Sequence, residues 1–285
     1  MSWFALSIAT LVLSAFSTLV QRVMMKKQES HPVVFMVLFQ FFITTLLIGY
    51  FLVTRDSIPN LLGLIPNFVI NVLLVTLGSL YMFEAIKLTE ASDFTIIYST
   101  SSIWALLPAV LFLNEVVDLP MLLGTGLIVL GVVLVSMRKK GSFTFHKGYL
   151  YSLVSAFGFG VAFVNEAFIV RQIGLMPDLL INFFTPGLLI LLLKFKLFTK
   201  DNLKKALSRD SSIQLAVFSL LYLASALTIF RAYEIGGNAT QIYPISNAAP
   251  ILTVVLATLF LGETKNIPKK VLAVLLTFLG VMFLR

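Results

Sequence analysis

Long apolar segments occur throughout this chain of 285 residues and determine what it can fold into. A helix needs about 20 apolar residues to cross the hydrocarbon core of a bilayer, and ten segments meet that length. The sequence therefore predicts an all-α integral membrane protein with ten transmembrane helices. The predicted spans, numbered 1 to 10 in chain order, cover residues 2–24, 33–54, 62–88, 92–113, 118–137, 149–170, 178–197, 212–235, 240–262 and 267–284.

The composition agrees with a membrane protein and excludes several kinds of chemistry. Charged residues make up 12% of the chain, whereas a soluble domain has about a quarter. The absence of cysteine excludes disulfides, thiolate chemistry and cysteine-ligated metals. His31 and His146 fall in predicted loops, so we expect no metal site and no cofactor. The first apolar run, from Trp3, is long enough to be a span rather than the short core of a cleavable signal peptide.

The second half of the chain repeats the first. Residues 83–88, Phe-Glu-Ala-Ile-Lys-Leu, return as Phe-Arg-Ala-Tyr-Glu-Ile at 230–235, and other matches keep their order with offsets between 141 and 148. One duplication explains these matches and predicts two repeats, 1–140 and 147–285, with five spans each. Because five is an odd number, the second repeat is predicted to be inverted in the membrane. Inverted repeats are typical of transporters that work by alternating access.

Basic residues are distributed unevenly between the two sides of the membrane. The face reached by span 1 carries 17 of the 21, which leaves Arg55, Arg171, Arg231 and Arg285 opposite. By the positive-inside rule the richer face is cytoplasmic and both termini are outside. The net charge of +8 therefore reflects topology, and the loops lack the aromatic platforms of an RNA-binding surface, so no nucleic-acid partner is expected. We interpret residues 194–211 as a polar loop rather than a short amphipathic helix.

Paired sequences at the ends of spans point to a known family. Spans 4 and 9 end in Leu-Asn-Glu at 113–115 and Leu-Gly-Glu at 261–263, and the following spans end in Gly-Val at 131–132 and 280–281. This set resembles the ten-helix, EamA-type members of the drug/metabolite transporter superfamily, which favour glycine where this chain has Asn114. The resemblance implies a central cavity, lined by spans 1, 3, 4, 6, 8 and 9, that carries metabolites such as amino acids. It also implies cytoplasmic termini, and on this point we keep the opposite result of the charge count.

Spans 4 and 9 have the most polar sequences among the predicted spans. Pro244 and Pro250 leave backbone carbonyls without amide partners in span 9, and such groups are tolerated at membrane depth only against protein or a wet cavity. The alternative is that serine and threonine simply let helices pack closely. Across these and the other cavity spans, the predicted substrate-binding residues are Tyr81, Tyr98, Ser102, Trp104, Asn165, Glu166, Tyr243 and Asn247.

We single out four ionisable residues that lie inside predicted spans and away from the lysine clusters: Arg22, Glu84, Glu166 and Arg231. A lone charge is costly in the bilayer, so each needs a partner or water. We predict two ion pairs, Arg22–Glu84 and Glu166–Arg231, one near each gate of the transport pathway. The alternative is that Glu84 and Arg231 pair locally with the opposite charge three residues further along their own helices.

Glu166 is also predicted as a proton carrier or a cation site. The nearest base along the chain is Arg171, one turn further on. A cavity with one acid and several aromatic side chains suits an organic cation, including a quaternary amine, through cation–π contacts. It suits an amino acid equally well.

The function that follows is secondary active transport of a small organic metabolite, with the proton as a candidate coupling ion. No phosphate-binding loop is present, so the sequence does not support ATP-driven transport. Two other classes stay open: a non-transporting assembly subunit, and a membrane enzyme acting on lipid, although the clustered catalytic residues for such an enzyme are missing. We expect a multi-pass protein of the cell membrane that is not an enzyme. Ten spans can enclose a pathway alone, so we expect a monomer, with a dimer as the alternative.

Overall fold

The computed structural model is a bundle of helices. It describes residues 2–26, 31–55, 59–105, 108, 119–136, 146–235, 242, 246, 249–264 and 266–283. The α-helices in these ranges are α1 (Trp3–Lys26), α2 (Pro32–Thr54), α3 (Ile65–Leu88), α4 (Ala91–Tyr98), α5 (Leu119–Ser136), α6 (Lys147–Ile173), α7 (Leu175–Leu193), α8 (Lys200–Ala206), α9 (Arg209–Glu234), α10 (Ala249–Leu261) and α11 (Ile267–Phe283). A further helical segment at 101–105 follows α4.

Six of these helices are long and apolar enough to cross a membrane: α1, α2, α3, α6, α7 and α9. They coincide with predicted spans 1, 2, 3, 6, 7 and 8. Shorter apolar helices, Leu122–Gly131 and Leu252–Leu261, lie within α5 and α10. The prediction of an all-helical membrane protein is therefore confirmed for the part of the chain that the structure describes.

The stretch between α7 and α9 corrects one prediction. It contains a 3₁₀ turn at Phe195–Leu197 and the two-turn helix α8, so the interpretation of 194–211 as a plain polar loop is wrong. The Thr199 side chain caps α8 by accepting a hydrogen bond from the backbone N–H of Asn202 at 3.3 Å. Lys204 and Lys205 lie in the last turn, where positive charge stabilises the helix dipole.

Most helices have their main neighbour in the other half of the chain. The most extensive packing is between α3 and α6, between α1 and α9, and between α5 and α11. The helix α2 packs against α7, and α4 packs against α10. The two halves are therefore interleaved rather than placed side by side.

Glycines permit the closest of these contacts. A Cβ atom on Gly158 of α6 would lie 2.8 Å from the backbone nitrogen of Gly78 on α3, which is closer than real Cβ contacts. Gly131 and Gly280 have the same role between α5 and α11, where a Cβ atom on either would come within 2.6 Å of the opposite helix. Small residues are the usual means by which membrane helices approach closely. The paired Gly-Val sequences thus mark a helix contact.

An aromatic cluster fills the centre of the bundle. The ring of Phe39 on α2 lies 4.8 Å from that of Phe218, 5.0 Å from that of Tyr222 and 5.8 Å from that of Phe183, measured between centroids. These tilted and edge-on arrangements are the favourable ones for aromatic rings. The cluster joins α2, α7 and α9 and forms one wall of the cavity described next.

Candidate functional site

A cavity of about 230 Å³ lies between the two halves of the chain. Helices α1 to α4 line it from the first half, and α6, α7, α9 and the start of α10 line it from the second half. All six spans that the family resemblance implied contribute to it, and spans 2 and 7 contribute as well. The site is thus built equally from both halves.

One wall of the cavity, the inner face of α1, is polar. Two of its hydroxyls also bind α9: Thr10 Oγ1 lies 2.8 Å from Thr228 Oγ1, and Ser14 Oγ lies 2.7 Å from Ser225 Oγ. The polar positions recur at helical spacing, so one face of α1 carries them all. These residues are Thr10, Ser14, Ser17, Thr18 and Gln21.

Aromatic rings provide most of the remaining wall. Tyr98 of α4 stacks on Phe94, with 5.4 Å between ring centroids, and meets the edge of Phe159 on α6 at 6.1 Å. Tyr222 and Phe230 of α9 line the cavity from another side. The cavity thus offers apolar faces together with hydroxyl groups.

A network of carboxyl and amide groups lies at one end of the cavity. Glu166 lines the cavity, and its Oε1 accepts a hydrogen bond from Asn71 Nδ2 at 3.1 Å. Asn71 Nδ2 also donates to Asn182 Oδ1 at 2.8 Å, and Asn182 Nδ2 donates to Asp178 Oδ1 at 2.8 Å. Asp178 is 0% exposed, and its Oδ2 has no hydrogen-bond partner among the described residues. Two acids are therefore connected through two amides.

The turn between α6 and α7 brings these two acids together. Gly174 has a φ of 82°, in the left-handed region that favours glycine, and α7 begins at the next residue. Glu166 in the last turns of α6 therefore approaches Asp178 in the first turn of α7. The hydrogen bonds through Asn71 and Asn182 connect the two carboxyl groups across this turn.

Asn165 holds α6 against α3 outside the cavity. Asn67 Nδ2 donates to Asn165 Oδ1 at 2.7 Å, and Asn165 Nδ2 donates to the Asn67 carbonyl at 2.9 Å and to Asn71 Oδ1 at 3.3 Å. These bonds fix the orientation of the Asn71 amide. The structure therefore places Asn165 behind Glu166, as a support for the network rather than in the cavity lining.

At the other end of α3, charged side chains from both halves meet. Glu263, just after α10, accepts hydrogen bonds from the backbone N–H of Ala91 at 3.0 Å and from Ser92 Oγ at 2.8 Å, so it binds the N-terminus of α4. Arg22 Nε lies 3.8 Å from Glu263 Oε1, and the Arg22 guanidinium donates to the carbonyl of Ile86 at 2.6 Å. This end of α4 is thus held by an acid from the second half.

Lys270 of α11 connects the remaining acids at this end. Its ammonium group forms an ion pair with Glu90, lies 3.6 Å from Asp93 Oδ1 and donates to Ser92 Oγ at 2.6 Å. Asp93 also accepts a hydrogen bond from the hydroxyl of Tyr149 at 2.9 Å. We refer to Arg22, Glu90, Asp93, Glu263 and Lys270 together as the charged cluster.

The predicted ion pairs do not form in this structure. Arg22 contacts Glu263 rather than Glu84. Arg231 is 58% exposed and pairs with Glu234, which is the local alternative. Glu166 binds Asn71 in place of Arg231. Neither predicted pair is formed in this conformation, because Arg22, Glu166 and Arg231 each contact another group instead.

The predicted substrate-binding residues separate into three groups. Tyr98 and Glu166 line the cavity. Tyr81 lies outside the lining, with its ring 5.0 Å from that of Tyr151. Tyr243 and Asn247 fall outside the described residues, as does the span 9 proline at position 244.

Ser102 and Trp104 belong to the packing of segment 101–105 against α6. A Cβ atom on Gly160 would lie 2.8 Å from the Cβ of Trp104, and the Trp104 ring meets Phe157 edge-on at 5.2 Å. Ser102 is buried in the same segment. For these two residues the helix-packing alternative fits the structure better than the cavity prediction.

Several site residues were missed by sequence reasoning. Asp178 is the first residue of predicted span 7, whereas α7 begins at Leu175 and places Asp178 one turn inside the helix. Asn71 and Asn182 carry no charge, so the criterion of a charge inside a span does not identify them. The signal was present nonetheless: Asp178 and Asn182 are four residues apart on one helix face, as are Asn67 and Asn71.

A bundle of span-length apolar helices around a central cavity defines a multi-pass membrane protein. The chain matches the EamA-like transporter family over residues 1–137 and 146–285, and it belongs to that family. The family that the sequence resemblance indicated is thereby confirmed. No curated protein matches the chain in a sequence search.

The fold also has a counterpart among solved structures. A structure described only as "Crystal structure of protein" superimposes with a TM-score of 0.66 at 18% sequence identity, covering 99% of this chain and 95% of the other. At that identity the likeness shows a shared fold. Nearly the whole of both chains takes part in it.

Proposed function

We propose that this protein is a secondary active transporter that carries a small organic metabolite, an amino acid or a related compound, through the central cavity by alternating access. The observation that carries the proposal is a cavity of about 230 Å³ walled by helices from both halves of the chain. Carriers with inverted repeats bind their substrates between the repeats, near the middle of the membrane. Membership of a transporter family agrees with this function.

The size and chemistry of the cavity favour a small amine or zwitterion. Pockets for drug-sized molecules enclose about 300–1,000 Å³, so a cavity of about 230 Å³ suits a smaller molecule. Among the described lining residues Glu166 is the one carboxylate, and lysine and arginine do not occur. A carboxylate binds an ammonium group directly, and the hydroxyls of α1 provide hydrogen bonds for further polar groups.

Helix packing supports two inverted repeats of five spans. In the predicted repeat α1 corresponds to α6 and α3 corresponds to α9. Swapping the two halves therefore turns the pair α1–α9 into the pair α6–α3. The packing in both pairs is among the most extensive in the bundle. The other packed pairs each join a helix to its own equivalent in the other repeat, so the swap leaves them unchanged: α2–α7, α4–α10 and α5–α11. A pseudo-twofold axis in the membrane plane produces this pattern.

The charged cluster is the proposed gate at one end of the pathway. Arg22, Glu90 and Asp93 come from the first half, whereas Glu263 and Lys270 come from the second half. Alternating access requires the two halves to separate at one end while they stay closed at the other. The contacts of the cluster are those that must break when this end opens, and they replace the ion pairs predicted from the sequence.

Transport into liposomes tests the proposal directly. The purified protein would be reconstituted and screened for uptake of labelled amino acids, amines and nucleosides, after a thermal-shift screen of the same compounds to select ligands. Saturable uptake that depends on the protein is the expected result. Uptake equal to that of empty liposomes for every ligand that raises the melting temperature would contradict it and favour the assembly-subunit alternative.

A second candidate substrate is an organic cation such as a quaternary amine. The observation that favours it is the placement of Glu166 in one cavity with the aromatic rings of Tyr98, Tyr222 and Phe230. Competition separates the two candidates. A quaternary amine that blocks uptake of the amine, while free amino acids do not, would assign the cavity to cations.

The charge distribution supports a topology with both termini outside the cell. The chain has no cysteine, so a single cysteine introduced near each terminus is a clean reporter. Labelling of intact cells by an impermeant thiol reagent is expected for both positions. Labelling only after the cells are opened would support the orientation implied by the family.

A further inference from the structure

We propose that Glu166 and Asp178 form a single proton-binding site, in which the side chains of Asn71 and Asn182 connect the two carboxyl groups. One proton from water adds to a carboxylate oxygen of this pair, and the pair holds one negative charge and one proton. The inference rests on the proposed transport function, because it assigns the group that couples substrate movement to protons.

The first support is the absence of a counter-charge in the described surroundings. The ionisable groups that face Glu166 are Asp178 on α7 and Tyr222 on α9, and neither is a base. The next base along α6, Arg171, is exposed, and Arg231 pairs with Glu234. The cavity faces of α1, α2 and α4 add hydroxyl, amide and aromatic groups. Two neighbouring carboxylates without a cation are costly inside a bilayer, and one proton bound by the pair removes one of the two charges.

The second support is the direction of the hydrogen bonds. Asn71 uses its amide to donate to Glu166 Oε1 and to Asn182 Oδ1, while its own oxygen accepts from Asn165. Asn182 in turn donates to Asp178 Oδ1. Each acid therefore receives one N–H from an amide whose orientation is fixed by its other bond. Such a chain polarises its members and couples the charge of one acid to that of the other.

The third support is the unpartnered oxygen of Asp178. Asp178 is 0% exposed, and its Oδ2 has no partner among the described residues. A buried carboxylate oxygen without a donor is far more costly than a neutral carboxyl group. We therefore assign the proton to Asp178 and the charge to Glu166, which receives the Asn71 amide and faces the cavity.

The positions of the two acids define the route of the proton. Glu166 lines the cavity, so water and substrate can reach it. Asp178 does not line the cavity and is closed off behind Asn182 and Glu166. Protons therefore enter and leave through Glu166, and Asp178 is the inner half of the site.

Infrared difference spectroscopy on the purified protein tests the site without any transport measurement. The C=O stretch of a protonated carboxyl group would be followed as a function of pH in H₂O and D₂O. Wild-type protein is expected to show such a band that titrates. The double variant E166Q/D178N should lose it, and each single variant should move its midpoint by about one pH unit or more, because the remaining acid has lost its coupled neighbour. D210N, which changes an exposed acid at the start of α9, is the matched control and should leave it unchanged.

Three results would overturn the proposal. The first is a band that titrates in E166Q/D178N as it does in wild-type protein. The second is a D178N variant with the wild-type midpoint. The third is loss of the band on adding sodium at constant pH, which would assign the site to a metal cation. If D178N does not fold, the E166Q variant is the test, because the pH midpoint of its remaining Asp178 band is expected to differ from that of wild-type protein.

The outcome is separable from that of the transport proposal. A titrating band in a protein that moves no substrate would leave the proton site intact and remove the transport function. Saturable uptake by a protein whose band is unchanged in both single variants would do the reverse.

Discussion

The acidic groups near the two ends of α3 differ in whether basic side chains lie beside them. At its C-terminal end, two bases and three acids of the charged cluster contact one another directly. At its N-terminal end, Glu166 and Asp178 are connected through amides and have no described base beside them. Asn71 and Ile86, which bind the two groups, are 15 residues apart, or about 22 Å along a helix. One end carries most of its own counter-charge, whereas the other must take it from outside, from a proton or from a substrate ammonium group.

Burial varies within each group, because Lys270 and Glu263 of the charged cluster are buried, whereas Glu166 at the other end is partly exposed to the cavity. Arg22 is 15% exposed and Asp93 is 16% exposed, so the charged cluster keeps some contact with solvent. Asp178 is fully buried. The charged cluster thus holds its acids beside bases at a partly solvated end of the bundle, whereas Asp178 lies behind the cavity-lining Glu166 without a described base.

Removal of Lys270 should have the largest effect on stability, because this side chain contacts all three acids of the charged cluster. Lys270→Met keeps the shape of the side chain but leaves three acids with Arg22 alone. We expect a loss of about 3–5 kcal/mol in the free energy of unfolding, measured by denaturant titration in detergent. Lys204→Met, at an exposed position on α8, is the control. Equal stability of the two variants would show that the cluster does not hold the halves together.

Removal of the Glu166 charge should have the next largest effect, on ligand affinity. Glu166→Gln keeps the hydrogen bond from Asn71 but cannot pair with an ammonium group. Loss of a buried charge partner weakens binding by about 2 kcal/mol or more, which is about 30-fold in Kd. Calorimetric titration of the best amine ligand would measure the change. An unchanged Kd would move the substrate site to the hydroxyls of α1, and Glu234→Gln serves as the control.

Loss of the Asn182 amide, which connects Asn71 to Asp178, should have an intermediate effect on stability. Asn182→Ala leaves Asp178 without its N–H donor and Asn71 without one acceptor. A buried polar group that loses its partner costs about 1–3 kcal/mol, and thermal unfolding would show it as a lowered melting temperature. Asn202→Ala, in the partly exposed helix α8, is the comparison variant. A melting temperature as high as that of wild-type protein would mean that the network is not an energetic unit.

The smallest effect is expected at Arg231. This side chain is largely exposed and paired within its own helix turn, and such pairs contribute at most about 1 kcal/mol. Arg231→Gln should therefore unfold close to wild-type protein and transport at a similar rate. A large loss of transport would revive the gate pair with Glu166 that the sequence suggested.

The sequence predicted the helices better than their neighbours. Composition alone locates α1, α2 and α3, because an apolar run of that length in lipid has to be helical. The sequence does not predict the contact between Arg22 and Glu263, because the two residues are 241 positions apart and no local pattern connects them. The short helix α8 was missed because its capping threonine lies in a stretch of lysines that also suits a loop.

Side-chain direction was the main obstacle to predicting the site. α3 and α6 are apolar on nearly all sides, so hydrophobic periodicity does not tell which face is inward. Tyr81 and Asn165 were consequently assigned to the cavity although they face other helices. Glu166 was found because a charge in a span demands an explanation, whereas Asp178 was hidden at a boundary.

The crossed pairing of the helices has a consequence for biosynthesis. A chain is inserted from its N-terminus, so α1 and α3 enter the bilayer before α9 and α6, their principal neighbours, have been made. The contact surfaces of the early helices, including Gly78, must then face lipid or the insertion machinery until the ribosome has finished the second half. The helices therefore reach their final packing only after the second half has been synthesised. A chain truncated in the middle lacks the packing partners of α1 and α3.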